Sequence, residues 1–119
     1  MVRKALLECS FLIPIRRDRH LSDGGPHNRQ AWKWLDIELY DFGGATRAGE
    51  LYEGWYLDPD TKVAVNDFSK KYIVAIPRRE LGHLRSVLRE ACNRFQQKCI
   101  YLSVAGAVEF VGGLSREKE

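Results

Sequence analysis

Two apolar rhythms share this chain, and their order limits what it can fold into. At residues 7, 9, 11, 13 and 15 the side chains are Leu7, Cys9, Phe11, Ile13 and Ile15, with Glu8, Ser10 and Pro14 between them. That two-residue period predicts a strand with one core face. Leu81, Leu84, Leu88, Ala91 and Phe95 instead recur at helical spacing, flanked by Val87 and Cys92, and this is the clearest stripe in the sequence. A helix is also predicted over residues 28–41, where Trp32, Leu35, Leu39 and Phe42 share a face and Gly43-Gly44 offers a left-handed exit. Residues 51–57 and 62–65 form a hairpin across Asp58-Pro59-Asp60-Thr61, whose proline suits the second position of a type I turn. Asn66-Asp67 predicts a bulge before a strand over residues 68–76. A last strand covers residues 99–104, Gly106 bends the chain, and residues 107–111 extend it.

The order is β-α-β-β-α-β, the pattern of an α+β, ferredoxin-like βαββαβ sandwich, in which an antiparallel sheet carries two helices on one face. Residues 1–114 are expected as one domain and 115–119 as a frayed tail. A chain of 119 residues buries roughly two thirds of its unfolded surface without disulfides or a metal. The opening residues lack a signal-peptide cleavage pattern and no apolar run approaches a membrane span, so the expectation is a cytoplasmic protein with no membrane partner. Of the three cysteines, Cys9 and Cys92 fall on core stripes and only Cys99, beside Lys98, has a setting that could lower a thiol pKa.

Charge is unevenly distributed. The net charge is +3, but residues 1–29 carry six basic and three acidic groups, residues 30–67 three and eight, and residues 68–119 ten and five. Opposed segments of this kind pair within a fold or with a second copy. In the expected topology the loop after the first strand, the Asp58–Thr61 turn and the link after the second helix share one end of the sheet. Arg16, Arg17, Arg19, Arg94, Gln96, Gln97 and Lys98 therefore gather there, beside the N-terminus of the first helix, as a candidate site for a small anionic ligand. The first helix runs from Arg29 and Lys33 to Asp36, Glu38 and Asp41, against its dipole, so its acidic end is expected to meet basic groups elsewhere.

The helix-free face of the sheet is the other candidate surface. Glu8, Ser10, Tyr101 and Ser103 point onto it, with Leu12, Ile73 and Ala75, and such a mixed face suits a ligand or another subunit. Glu8, Tyr101 and Glu109 are the groups near it that burial could turn to acid–base work. No nucleophile–base pair or carboxylate pair has a diagnostic spacing, so no catalytic residue is assigned. Asp18, His20, Asp23 and His27 have ligand chemistry without the spacing of a metal site, and neither metal nor cofactor is expected. The third long strand, Lys70-Lys71-Tyr72-Ile73-Val74-Ala75-Ile76, lacks the glycines and aromatics of an RNA-recognition strand, which disfavours nucleic acid as a partner.

Phe42-Gly43-Gly44-Ala45-Thr46, Gly54-Trp55, Asp67 and Phe95-Gln96 make a pattern that resembles a family of small uncharacterised bacterial proteins with a ferredoxin-like fold. The resemblance spans roughly the last two thirds of the chain and implies a fold without an activity. In physical terms Phe42, Gly43, Gly44, Thr46, Gly54, Trp55 and Asp67 are corner and packing positions, with Trp55 expected to fill the space beside Gly54. The expected function is a non-catalytic module that binds a small ligand or self-associates as a homodimer, through the open sheet face or the proline-free edge at residues 107–111. The alternatives are an enzyme or binding protein for a small anion at the basic end, and a nucleic-acid-binding protein.

Overall fold

The computed structural model describes residues 5–58 and 60–112. Its centre is β1 (Leu7–Pro14), whose Cys9, Phe11 and Ile13 have no exposed surface. β1 pairs antiparallel with β4 (Ala64–Ile76) from Leu7↔Ile76 to Pro14↔Ser69, and on its other side with β5 (Cys99–Val104) at Cys9↔Val104 and Phe11↔Leu102. Pro14 lies beyond the β5 pairing, where a missing N–H breaks no ladder. β2 (Thr46–Arg47) and β3 (Tyr52–Leu57) both pair with β4, and β6 (Ala107–Gly112) closes the far side against β5. The result is a six-stranded antiparallel sheet, with β4 between β1 and the pair β2 and β3, and β1 between β4 and β5.

The two helices cover one face. α1 (Arg29–Tyr40) is capped by Asn28, whose side-chain oxygen accepts the Ala31 N–H at 2.9 Å, and it buries Ala31, Leu35 and Leu39. It ends through Gly43 and Gly44, at φ +89° and +114°, where the Gly44 N–H reaches the Leu39 carbonyl. After Pro77 a single 3-10 turn (Arg78–Glu80) leads into α2 (Leu81–Arg94), which buries Leu84, Val87, Leu88, Ala91 and Cys92. All of these but Val87 join Tyr72, Val74, Ile76, Ile100 and Leu102 in one cluster, with Phe11 stacked on Tyr72 at 5.2 Å. Arg85 reaches from α2 to Glu109 on β6 in a bidentate pair at 2.8 Å, so Glu109 faces the helices and not the open face expected of it. The acidic end of α1 meets His83 of α2: ligand atoms of Glu38, Asp41 and His83 lie within 4.8 Å of one another, and the Phe42 ring packs on His83 at 4.7 Å.

Three expectations need correction. Asn66-Asp67 makes no bulge, because the β3–β4 register runs unbroken from Tyr52↔Ser69 through Gly54↔Asp67 to Leu57↔Ala64. The ribbon is exposed on both faces at β3, so polar residues break the apolar alternation without breaking the ladder, and the Asn66 amide donates to Glu53. Trp55 does not fill a space beside Gly54; it stands 71% exposed. Residues 107–111 are more than an extension: Ala105 and Gly106, at φ +49° and +92°, turn the chain into the full hairpin strand β6. The expected tail at 115–119, the opening residues 1–4 and Pro59 of the expected turn lie outside the described residues.

Phe11 has no exposed surface, lies on the strand between β4 and β5, and belongs to one buried cluster with Leu35 of α1 and Leu88 of α2. Phe11→Ala is expected to lower the unfolding free energy by about 3 to 5 kcal/mol, measured by urea denaturation monitored by circular dichroism.

Candidate functional site

β4 is 13 residues long, and only its second half lies against β1. Its first half continues with β3 as a two-stranded ribbon beyond the covered sheet. The loop between β1 and α1 folds back beside this ribbon and is fixed from α2. The helix ends with Gln96 in the left-handed region, φ +51°, an unusual conformation for a residue with a Cβ, costing roughly 1 to 2 kcal/mol. It is held there by its own amide, which donates to the Asn93 carbonyl at 2.7 Å, and by its carbonyl, which accepts the Asp18 N–H at 2.9 Å. The turn buries Gln97, whose amide donates to the Arg16 carbonyl at 2.7 Å and to the Phe95 carbonyl at 2.9 Å.

Further bonds shape the loop itself. Arg17 grips Asp23 at 2.8 Å and the Pro26 carbonyl, and its N–H donates to the Gly25 carbonyl. His27 Nε2 bonds the Pro14 carbonyl at 2.7 Å while its ring stands edge-on to Phe95 and Trp32. Burial pushes the His27 pKa down, against the Pro14 hydrogen bond, and the positive charges of Arg17 and Lys70 push it further.

Between loop and ribbon lies a cavity of about 330 Å³. The loop contributes Arg16, Arg17, Asp18, Arg19, His20 and Gly24; the ribbon contributes Tyr56 and Asp58 and the strand from Val63 to Asp67; Gln97 closes the base. Tyr56 is opposite Val65 and Gly54 opposite Asp67, so strand alternation puts Tyr56, Val65 and Asp67 on one face of the ribbon. A Cβ added at Gly54 would meet nothing within 4 Å, so the space across from Asp67 is open.

The carboxylates here behave differently. Burial pushes the Asp58 carboxyl up, but the N–H groups of Asp60 and Thr61 and the Lys98 ammonium outweigh it and hold it at about 2. Lys98 Nζ lies 3.1 Å from Asp58 and 2.7 Å from Asp60, and His20 Nε2 is 3.9 Å from Asp58. Asp67 is half-buried and its pKa is raised by that burial and by the negative charge of Asp18, against a backbone hydrogen bond from Phe68. Burial, with Asp67, Asp18 and Asp58 nearby, pushes Tyr56 up to about 12. Two titratable groups shifted against ionisation on one wall of a cleft make this cavity the candidate site.

The residues expected at the basic end divide. Arg16, Arg17 and Arg19 line the cavity, and Gln96 holds the loop in place. Lys98 is spent on Asp58 and Asp60, while Arg94 pairs with Glu90 at 2.9 Å and covers the Trp34 ring at 4.6 Å. The cavity is thus of mixed charge, because Asp18, Asp58 and Asp67 share its wall. The α1 N-terminus does not line it. Nor do Asp18, His20, Asp23 and His27 converge as a ligand set: Asp23 pairs with Arg17, His27 bonds Pro14, and His20 faces Asp58. On the helix-free face Glu8 is exposed, Ser10, Tyr101 and Ser103 are half-buried, and Ser10 pairs with Ser103 across the strands, well away from the loop. Tyr56 and Asp58 were not singled out by the sequence reasoning. The signal available for them was the hairpin itself, whose second strand continues into β4 and so carries them to the loop.

No family model matches the sequence, and no curated protein matches it. Solved structures do. A phage SAM lyase in complex with S-methyl-5′-thioadenosine superposes with a TM-score of 0.70 at 11% identity, over 95% of this chain and 94% of that one. A phage SAM lyase in its apo state superposes with a TM-score of 0.62 at 13% identity, over 96% of each chain. At these identities the likeness is one of fold.

Asp58→Asn is expected to lower the melting temperature at pH 7. The native carboxyl titrates at about 2 and an unfolded one near 3.8, so the stabilisation is complete above the unfolded value and fades as pH falls from there through the native value. The gap between wild type and variant should therefore narrow between pH 5 and pH 2 in thermal melts.

Proposed function

We propose that this chain binds an adenosine thioether or sulfonium of the S-adenosylmethionine class in the cavity between the loop and the β3–β4 ribbon. The observation that carries this is the cavity's composition: an aromatic ring, Tyr56, beside the half-buried carboxylate Asp67, with arginines across from them. A tyrosine face and a carboxylate suit a sulfonium or ammonium cation, which is attracted to both. The volume, about 330 Å³, is within the range of small-molecule sites. The fold likeness to a lyase bound to S-methyl-5′-thioadenosine supports the same ligand class. On this reading the strand order β5-β1-β4-β3 is the ferredoxin-like one, with β2 and β6 added at its edges, and the corner residues Phe42 to Thr46 serve that fold.

Isothermal titration calorimetry with S-methyl-5′-thioadenosine and with S-adenosylmethionine tests the proposal. Saturable binding of one nucleoside per cavity is expected, and Tyr56→Ala should weaken it at least tenfold, about 1.4 kcal/mol. Incubation with S-adenosylmethionine, followed by chromatography, then separates the two forms of the reading. Release of S-methyl-5′-thioadenosine above the uncatalysed rate, with the amino acid part recovered as homoserine lactone and not as homoserine, makes the chain a lyase; binding without release makes it a ligand-binding module. Absence of binding by either compound removes the proposal.

A second observation favours self-association. β6 is an edge strand without proline, and it exposes Val108 and Phe110, the latter by 67%. We infer a homodimer paired along this edge, where an exposed strand offers both unpaired backbone groups and apolar side chains. Native mass spectrometry should show a dimer for the wild type and a monomer for Phe110→Glu; a wild-type monomer at high concentration removes this arm.

A further inference from the structure

The charged groups around the cavity are not all available to a ligand. Arg17 is held by Asp23 and the Pro26 carbonyl, and Lys98 by Asp58 and Asp60, which also occupies the Asp58 carboxylate. Asp58 accepts two backbone N–H groups besides, and its side chain is 2% exposed. Two guanidiniums remain. Among the described residues neither Arg16 nor Arg19 has a side-chain hydrogen bond or ion pair, although both line the cavity. Their backbones are nevertheless anchored: the Arg16 carbonyl accepts the Gln97 amide and its backbone makes an isolated bridge to Pro26, and Arg19 follows Asp18, whose N–H donates to the Gln96 carbonyl. The remaining acids are Asp67 and Asp18, whose carboxylate accepts the His20 N–H.

After its internal pairings the cavity therefore offers two cations and two carboxylates. S-methyl-5′-thioadenosine has no charged group to meet any of them. A nucleoside that keeps its α-amino acid end has both an ammonium and a carboxylate, the charge set that complements this wall. We propose that Arg16 and Arg19 bind the α-carboxylate of the ligand, so that the site selects nucleosides that retain the amino acid over those that have lost it. Guanidinium and carboxylate pair in a planar, bidentate fork, which is stronger and more directional than an ammonium contact. The inference rests on the proposed nucleoside site and adds its specificity.

The test compares S-adenosylhomocysteine, its methyl ester and S-methyl-5′-thioadenosine by calorimetry, on wild type, Arg16→Ala, Arg19→Ala and the double variant. The wild type should bind S-adenosylhomocysteine at least tenfold more tightly than S-methyl-5′-thioadenosine, and the methyl ester, which has lost the negative charge, should fall toward the latter. In the double variant the preference should collapse while affinity for S-methyl-5′-thioadenosine stays within twofold. Arg16→Lys and Arg19→Lys should recover part of the preference, because the charge returns without the fork. Equal wild-type affinity for all three, or an equal loss for all three in the double variant, overturns the carboxylate assignment and leaves the nucleoside site standing. No binding of any of them by the wild type overturns both. The ester comparison needs no variant, so the assignment can be judged even if an arginine substitution impairs folding.

Discussion

The ladder between β1 and β4 is the constraint on which the rest of this structure depends. Its eight paired positions hold Cys9, Phe11 and Ile13 against Val74, Tyr72 and Lys70, and the stacked Phe11 and Tyr72 rings belong to the cluster that residues of both helices complete. Burying a large side chain contributes about 1.5 to 3 kcal/mol, so a strand with apolar residues on one face fixes its register firmly: a slip of one residue would turn that whole set to solvent. With β1 and β4 locked, the sheet can grow only outward, to β5 and β6 on one side and to β2 and β3 on the other.

A mismatch in length opens a cavity beside this core. β4 outruns β1 at its N-terminal end, and the surplus pairs with β3 in a ribbon that no helix covers. The loop leaving β1 must turn beside that ribbon, and the end of α2 sets where. Gln96 enters the left-handed region so that Gln97 can bury its amide against the Arg16 carbonyl. A core strand, a helix end and an exposed ribbon thus determine one cavity wall each, and the bonds that hold them in place use up Arg17, Lys98 and Asp58. What that pairing leaves on the cavity wall is Arg16, Arg19, Asp18, Asp67 and the Tyr56 ring.

Conflicts with local preference fall close to this region or are relieved by neighbours. α1 ends in acids that its dipole disfavours, and α2 brings His83 to them. The ribbon leaves Trp55 and Leu57 largely exposed, on a segment whose backbone is paired along one edge only. These features lower the packing that the ribbon receives, which agrees with its place beside a cleft and not in the core.

Periodicity alone determined β1 and α2. The two-residue rhythm of residues 7–15 and the helical stripe of residues 81–95 became β1 and α2, since burying one face requires those spacings whatever the rest of the chain does. The end of the sheet where Arg16, Arg17 and Arg19 gather was also legible, because strand order places connections at one end or the other. The continuity of β4 through Asn66 and Asp67 was not, because in an exposed ribbon the backbone ladder persists without apolar alternation to announce it. The availability of each charge was equally hidden. Seven polar residues in the sequence look alike, and only the folded chain pairs Arg94 with Glu90, Lys98 with Asp58 and Arg17 with Asp23, leaving Arg16 and Arg19 facing the cavity. Pairing depends on distances between segments far apart along the chain, and those distances exist only once the tertiary structure has formed.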